Sequence, residues 1–285
     1  MSPTLNAVRK TLCARIQSAR IVLDKPTPIR DEDVHAARKH LKGARAGLRL
    51  LRTTVGERTY TFENARLRDA ARPLSAVRDA KVLLETTRKL IKSEGDGERC
   101  ESLHHLMGLL RKARVKARSA SLMSSVAVKS IVTTLTASER NVTRWVLDGA
   151  TSALQSDIER LYRKSRKTMR VARKAPTDDA LHEARKQAKY LALALEVLHE
   201  IGYRHVEKSA KPVTAIGDHL GADRDLALLQ SKLITLPKSQ LAAGRVLSLQ
   251  IQGARTNLQN KAFRIAKRAY TEKARVFVKR LSVTE

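Results

Sequence analysis

Aromatic and cysteine residues are scarce in this chain of 285 residues, and each shortage disfavours a class of protein. There are three Phe, five Tyr and one Trp. Single-stranded nucleic acid is usually held by stacking its bases on such rings, so a base-stacking protein is disfavoured. Cys13 and Cys100 are too few for a disulfide framework, which favours a reducing, cytoplasmic environment.

Long apolar runs are missing as well. Residues 1–10 lack the continuous apolar stretch of a signal peptide. No apolar run reaches the roughly 18 residues that a membrane-spanning helix needs. We therefore expect a protein that does not span a membrane.

Glycine and proline are sparse, with 12 Gly and 7 Pro, and they separate long stretches of Ala, Leu, Arg and Lys. These residues favour helix, so the sequence predicts an all-α fold. The predicted helices are broken near Pro73 and near Gly217 and Gly221, and they cover 3–23, 31–54, 59–92, 98–120, 139–174, 178–200, 204–235 and 239–282. The stretch 121–136, rich in Ser, Thr and Val, is either helix or a connector.

Two motifs occur twice, which indicates an internal duplication. His-x-x-Arg-Lys occupies 35–39 and recurs 147 residues later at 182–186. Leu-x-x-x-Arg-Asp occupies 74–79 and recurs 146 residues later at 220–225. The similar offsets divide the chain into halves, 1–136 and 137–285. We predict two four-helix bundles related by a pseudo-twofold repeat within one domain.

The charge balance is strongly basic, with 57 Lys and Arg against 28 Asp and Glu and a net charge of +29. Such an excess repels itself in a compact fold unless a polyanion or counterions relieve it. We therefore expect a polyanionic partner. Because the chain offers many cations and few rings, this partner should be rich in phosphate and need not contain bases.

The cations recur at helical spacing and form stripes. Over more than four turns, one flank of the first His helix carries His35, Arg38, Lys42, Arg45, Arg49 and Arg52. The second copy has His182, Arg185 and Lys189, and then lapses to Ala192 and Glu196. Further stripes comprise Arg111, Arg114 and Arg118, then Arg163, Lys167 and Arg170, then Lys261, Arg264 and Arg268.

Each of these features also has a purely structural interpretation. A basic stripe can be a solvated face, and a lone His beside an apolar seam can be a core residue. The repetition of both features favours ligand contact. We interpret Arg78-Asp79 and Arg224-Asp225 as mainly structural, with each Asp capping a helix that starts after Pro73 or Gly221.

Signatures of catalysis are absent from the sequence. His182-Glu183 and His199-Glu200 lack the second His of the zinc-protease pattern, and no Cys/His spacing suits zinc. There is no glycine-rich phosphate loop and no obvious acid–base pair of carboxylates. We therefore expect a binding protein that is not an enzyme and uses no cofactor or metal.

The paired motifs in an all-helical basic chain resemble the CHAD family, the conserved-histidine α-helical domains, over roughly residues 5–282. The resemblance implies two four-helix bundles that bind inorganic polyphosphate where they meet, and association with polyphosphate granules. It assigns binding to His35, Arg38, Lys39, Lys42, Arg45 and Arg49, and to His182, Arg185, Lys186 and Lys189. A triphosphatase-like tunnel domain, often fused to family members, has no room in this chain.

The leading hypothesis is therefore non-enzymatic polyphosphate binding in the cytoplasm, at polyphosphate granules. The predicted contacts are the ten family positions together with the stripes on the other helices. The rival binding hypothesis is a non-specific nucleic-acid or nucleoid tether, because a charge of +29 gives some affinity for any nucleic acid. A third class, an enzyme acting on phosphate esters, predicts release of phosphate in the presence of a divalent metal.

Overall fold

The protein is described by a computed structural model that covers residues 2–25, 29–94, 98–122, 125–233 and 241–281. These residues form eleven α-helices and no strand, which confirms the all-α prediction. The helices are α1 (Pro3–Leu23), α2 (Asp31–Leu50), α3 (Arg52–Val55), α4 (Glu57–Glu94), α5 (Glu98–Leu122), α6 (Ser125–Thr143), α7 (Thr151–Lys174), α8 (Asp178–Glu200), α9 (Val206–Leu233), α10 (Leu241–Ala269) and α11 (Ala274–Leu281).

The two His helices, α2 and α8, begin at the acidic residues where the sequence predicts their starts. In α2 the carboxylate of Asp33 accepts a hydrogen bond from the Arg30 backbone N–H at 3.1 Å. In α8 the Thr177 hydroxyl accepts one from the Ala180 backbone N–H at 3.2 Å. Both contacts satisfy N–H groups that have no partner within the helix and so stabilise the first turn of each His helix.

The predicted breaks in the fourth and ninth helices are wrong, because α4 continues through Pro73 and α9 continues through Gly217 and Gly221. In α9 the glycines allow close packing. A Cβ at Gly217 would lie 2.9 Å from the Lys189 side chain, and one at Gly221 would lie 3.3 Å from Arg185 Nε. Since Asp79 and Asp225 lie inside continuous helices, neither caps a new helix.

Two of the predicted helices are each divided into two helices in the structure. The helix predicted over 139–174 ends at Thr143 and resumes at Thr151. The Arg9 guanidinium donates to the carbonyls of Thr143 at 2.7 Å and Trp145 at 3.0 Å, and so satisfies the end of α6. The helix predicted over 239–282 is likewise interrupted, between Ala269 and Ala274.

The stretch 121–136, for which the sequence allows either helix or a connector, is helical wherever the structure describes it. Residues 121 and 122 end α5, residues 125–136 belong to α6, and residues 123 and 124 lie outside the described residues. The boundary between 136 and 137 therefore falls inside a helix. The division into halves and their pseudo-twofold relation stay predictions from the sequence repeat.

Apolar side chains from both halves form the cores. The larger core contains the buried apolar residues of α2 and α8, two helices that pack against each other. It also contains the Tyr162 ring, which stacks on Phe277 with centroids 4.1 Å apart. A second cluster joins α4 and α5, through Leu84 and Leu106, to α9 and α10, through Leu229 and Leu247. None of the described helices is both long and apolar enough to cross a bilayer.

Candidate polyanion-binding site

A groove between α2 and α4 brings together basic residues from both helices. Its volume is about 420 Å³. We call it the α2–α4 groove, and its lining residues are Arg38, Lys42 and Arg45 of α2 with Arg68, Asp69, Ala71, Arg72 and Ser75 of α4. Five cations thus face one carboxylate, and the groove carries a net positive charge.

The arginines of α2 are oriented in this groove by neutral partners. The Arg38 guanidinium donates to the Ser75 hydroxyl, which in turn donates to the Ala71 carbonyl at 3.1 Å. The Arg45 Nε donates to the Asn64 amide oxygen at 3.0 Å. These acceptors carry no formal charge, so these two contacts orient the guanidinium groups without being ion pairs.

The single carboxylate of the groove is engaged by its chain neighbour. Arg68 Nε donates to Asp69 Oδ1 at 2.9 Å, and this hydrogen bond lowers the pKa of Asp69. Both side chains are exposed, so the pair is screened by water. Arg72 and the cations of α2 supply the remaining positive charge of the groove.

The second copy of the motif, on α8, faces carboxylates. Lys189 Nζ donates to Asp218 Oδ1 at 2.7 Å, and Lys186 forms an ion pair with Glu183. Asp218 occupies the position of α9 that corresponds to Arg72 of α4 in the repeat. The charge at this position is therefore opposite in the two halves.

Arg185, the counterpart of Arg38, lies in a mixed environment. Burial lowers the pKa of Arg185, while the nearby carboxylates of Asp225, Asp79 and Asp218 oppose this shift. Asp79 and Asp225, the last residues of the two Leu-x-x-x-Arg-Asp motifs, therefore both act electrostatically on Arg185. The Nε of Arg185 is buried and has no hydrogen-bond partner among the described residues.

His182, one turn before Arg185, is half-buried, and its Nδ1 also has no partner in the described part of the chain. Burial lowers the pKa of His182, and the positive charges of Arg224, Arg185 and Lys186 lower it further. The imidazole therefore favours its neutral form in the free protein. A polyanion beside it would oppose this shift.

His35 and Lys39, which the sequence places at the start of the basic stripe, are exposed and line a different recess. This recess, between α1, α2, α8 and α9, has a volume of about 980 Å³. It also contains His40, His199 and three glutamates, so its charge is mixed. The stripe on α2 therefore faces two separate cavities.

Other predicted contacts are engaged inside the protein. The side chain of Arg49 is buried, donates to the Arg45 carbonyl at 2.7 Å and lies 3.6 Å from the centroid of the Tyr190 ring. Arg114 of α5 forms an ion pair with Asp31 at the start of α2. Arg111 is exposed on α5, while the side chain of Arg118 lies outside the described residues.

A comparison with protein families identifies the fold. The family model of the CHAD domain matches residues 14–233. This chain belongs to the CHAD family. The crystal structure of the CHAD domain from the plant Ricinus communis is similar over 100% of this chain and 93% of that one, with a TM-score of 0.59 and 21% identity. No curated protein matches the sequence.

The remaining predicted cations of this CHAD protein lie on α7 and α10. Arg163, Lys167 and Arg170 are exposed on α7, and Arg163 is paired with Glu159. Lys261, Arg264 and Arg268 are exposed on α10, beyond the end of the family match at residue 233. None of these six side chains lines the α2–α4 groove.

Arg68 and Arg72 supply two of the five cations of the α2–α4 groove and were not predicted from the sequence. Their spacing of four residues on one helix was a detectable signal. The contacts of Arg38 with Ser75 and of Arg45 with Asn64 show that α4 packs against α2. Without that packing, the spacing alone does not indicate a site.

Proposed function

We propose that this CHAD protein binds inorganic polyphosphate in the α2–α4 groove, without catalysis. The observation that carries the proposal is the lining of that groove, in which five cations face one carboxylate that is already paired. Polyphosphate carries about one charge per phosphate and no bases, so matched rows of cations are sufficient to recognise it.

The geometry of the groove suits an extended chain of phosphates. Arg38, Lys42 and Arg45 lie along one side of α2 and span about 10 Å at the helical rise per residue. Arg68 and Arg72 lie on α4 at the other side. Guanidinium groups donate to phosphate oxygens in pairs and the lysine acts as a point charge, so both walls would contact one thread.

The second copy would contribute less to binding. Lys186 and Lys189 are already paired with carboxylates, and three aspartates surround Arg185. Arg185 Nε and His182 Nδ1 have no described partners, but both atoms are buried and therefore offer no accessible donor to a phosphate. We therefore assign the main affinity to the α2–α4 groove.

Binding of this kind would place the protein in the cytoplasm at polyphosphate granules. We propose no hydrolysis, because the one carboxylate of the groove, Asp69, is engaged by Arg68 and the other charged lining groups are cations, which stabilise phosphate but do not activate a nucleophile. In the described part of the chain, no cluster of three or more His, Cys, Asp or Glu side chains has the geometry of a metal site. Incubation with polyphosphate and a divalent metal should release no phosphate.

The decisive experiment compares two quadruple variants with equal loss of charge. The groove variant carries Arg38→Gln, Lys42→Gln, Arg68→Gln and Arg72→Gln. The control variant carries Lys10→Gln, Lys129→Gln, Arg140→Gln and Arg144→Gln, which change exposed cations outside the groove. Titration calorimetry with long-chain polyphosphate measures the affinity of each variant.

We expect the groove variant to bind at least about tenfold more weakly and with a shallower salt dependence, because several phosphates lose their cation. The control variant should stay within about threefold of the original affinity. Equal losses in the two variants would show that net charge alone attracts polyphosphate, and the assignment of the groove would then be wrong.

A further inference from the structure

The recess between α1, α2, α8 and α9 has walls of opposite charge. Its volume is about 980 Å³, within the range of cavities that hold small ligands. The lining cations, Arg15 and Lys39, lie on α1 and α2. The lining carboxylates lie on α8 and α9 and are Glu196, Glu200 and Glu207. We call this cavity the bipolar recess, with an α1–α2 wall and an α8–α9 wall, and its other titratable lining groups are His35, His40 and His199.

The α1–α2 wall carries a positive charge that is available to a ligand. Burial lowers the pKa of His40, and the positive charges of Arg15 and Lys39 lower it further, so this part of the recess favours anions. Lys39 is exposed and forms no ion pair or hydrogen bond with a described residue. It is therefore the cation of this wall that can pair with an anionic group of a ligand.

The α8–α9 wall has three carboxylates, and two of them are already paired. Glu200 forms an ion pair with Arg15, which joins the two walls at one point. Glu207 pairs with Lys211 at 2.8 Å. Glu196 is exposed and has neither an ion pair nor a hydrogen bond with a described residue. It is therefore the carboxylate that can accept hydrogen bonds from a cationic group of a ligand.

Accessible apolar side chains also line the bipolar recess. Leu193 of α8 is half-buried, as are Ala36 of α2 and Ala210 of α9, and Ala14 of α1 is exposed. Contact with such side chains removes apolar ligand surface from water and so stabilises a complex. The recess thus offers an unpaired cation, an unpaired carboxylate and an apolar surface to one ligand.

We propose that the bipolar recess binds a zwitterion with an apolar body, namely a free amino acid or a short peptide with unmodified ends. The ammonium group donates to Glu196, the carboxylate accepts from Lys39, and an apolar side chain contacts Leu193. Because the two walls carry opposite charges, the ligand binds in one direction, with its amino end at α8.

The same charges disfavour ligands of one sign. Polyphosphate carries only negative charge, and the three carboxylates of the α8–α9 wall repel it. A polyamine carries only positive charge, and Arg15 and Lys39 repel it. A neutral apolar ligand would cover Lys39 and Glu196 without pairing them, which costs free energy. A ligand with one charge of each sign avoids all three penalties.

The test uses the dipeptide Leu-Leu as its probe, titrated into the protein and followed by ligand-observed NMR at neutral pH. Three further probes are free leucine, the dipeptide with an acetylated amino end, and the dipeptide with an amidated carboxyl end. The recess variants are Glu196→Gln and Lys39→Gln. Their matched controls are Glu101→Gln and Lys10→Gln, which remove the same charges from exposed positions outside the recess lining.

We expect each recess variant to bind Leu-Leu at least about fivefold more weakly, because one charged hydrogen bond is lost. The control variants should stay within about twofold of the unmodified protein, since distant exposed charges are screened. Equal losses in Glu196→Gln and Glu101→Gln, or in Lys39→Gln and Lys10→Gln, would overturn the proposal.

Combining the variants with the blocked dipeptides tests which group of the ligand meets which wall. Acetylation should weaken binding to the unmodified protein about fivefold or more and hardly change binding to Glu196→Gln, because both changes remove the same contact. Amidation should behave in this way with Lys39→Gln. Losses that simply add, or blocked dipeptides that bind the unmodified protein as tightly as Leu-Leu, would show that the walls do not recognise the two ends.

The two sources of the zwitterion are separated by comparing free leucine with Leu-Leu. Tighter binding of one of them supports the proposal and identifies that source, whereas saturable binding of neither would overturn it. None of the probes contains phosphate, so the result is independent of the proposal for the α2–α4 groove. Failure of polyphosphate binding leaves the bipolar recess unaffected, and failure of the dipeptide titration leaves the groove unaffected.

Discussion

The two copies of the His-x-x-Arg-Lys motif differ most in the residues that face them from the next long helix. Opposite the first copy, α4 presents Arg72 and Ser75, and Arg38 finds a neutral hydroxyl. Opposite the second copy, α9 presents Asp218 and Gly221, and Lys189 finds a carboxylate at 2.7 Å. A repeated motif therefore does not guarantee a repeated function, because side chains outside the motif set the local charge.

A second difference concerns the Asp that begins each His helix, since each is held by an arginine from another helix. Asp31 pairs with Arg114 of α5, and Asp178 pairs with Arg255 of α10. Arg255 also binds Asp223 at 3.0 Å, and the side chains of this pair are only 9% and 3% exposed. Arg114 is 34% exposed, so the more deeply buried ion pair is Arg255 with Asp223. The helix-start carboxylates differ the other way, since Asp178 is 70% exposed and Asp31 is 13% exposed.

The largest effect we expect follows from this difference in burial. Arg255→Met leaves the carboxylate of Asp223 buried with only Gln259, which donates at 2.8 Å, so unfolding should become easier by about 3–5 kcal/mol. Arg114→Met should cost about 1 kcal/mol or less. Urea unfolding monitored by circular dichroism measures both. Equal costs would mean that the buried network around Asp223 contributes no more than a surface pair.

The next effect comes from exchanging the opposite charges at the corresponding positions of α4 and α9. Arg72→Asp should weaken polyphosphate binding by roughly tenfold or more, because it removes a cation and adds a carboxylate beside Lys42. Asp218→Arg should strengthen binding severalfold, since it frees Lys189 and adds a cation to α8–α9. Both affinities are measured by calorimetry at fixed salt. A loss of affinity in Asp218→Arg would contradict the comparison of the two copies.

The helical fold and the helix starts could be predicted from the sequence because their causes are local. Acidic residues before an apolar seam mark the first turns of α2 and α8, and they do so without help from the rest of the chain. The gap between α6 and α7 could not be predicted this way. It depends on Arg9, which is distant in the sequence, and on Gly149, where a Cβ would lie 3.2 Å from Leu5 and Thr54.

The candidate site could be predicted only in part for the same reason. The helical period gives the positions of Arg38, Lys42 and Arg45 along α2, but it does not identify the helix that faces them. The period also places Arg49 in the same stripe, although Tyr190 of α8 covers it. Packing between helices decides which cations are accessible to a ligand. The helical period of a single sequence does not show which helices pack together.

The smallest effect we expect is in the pH dependence of stability, to which a histidine near each copy contributes. Burial lowers the pKa of His182 below 6.5, helped by Arg224, Arg185 and Lys186. Burial also lowers the pKa of His40 beside the first motif, where Arg15 and Lys39 add to the effect. A histidine whose pKa is lower in the folded state binds more protons when unfolded, so stability should fall as the pH decreases through 6.5.

Replacing each imidazole separately shows which copy causes more of this loss. His182→Gln and His40→Gln should each make the free energy of unfolding less dependent on pH below neutrality, because burial and nearby cations lower the pKa of both imidazoles. Urea titrations between about pH 5 and 8, on either side of the histidine pKa, measure both slopes. If His182→Gln follows the pH curve of the unmodified protein, the cations of α8 and α9 do not act on this imidazole.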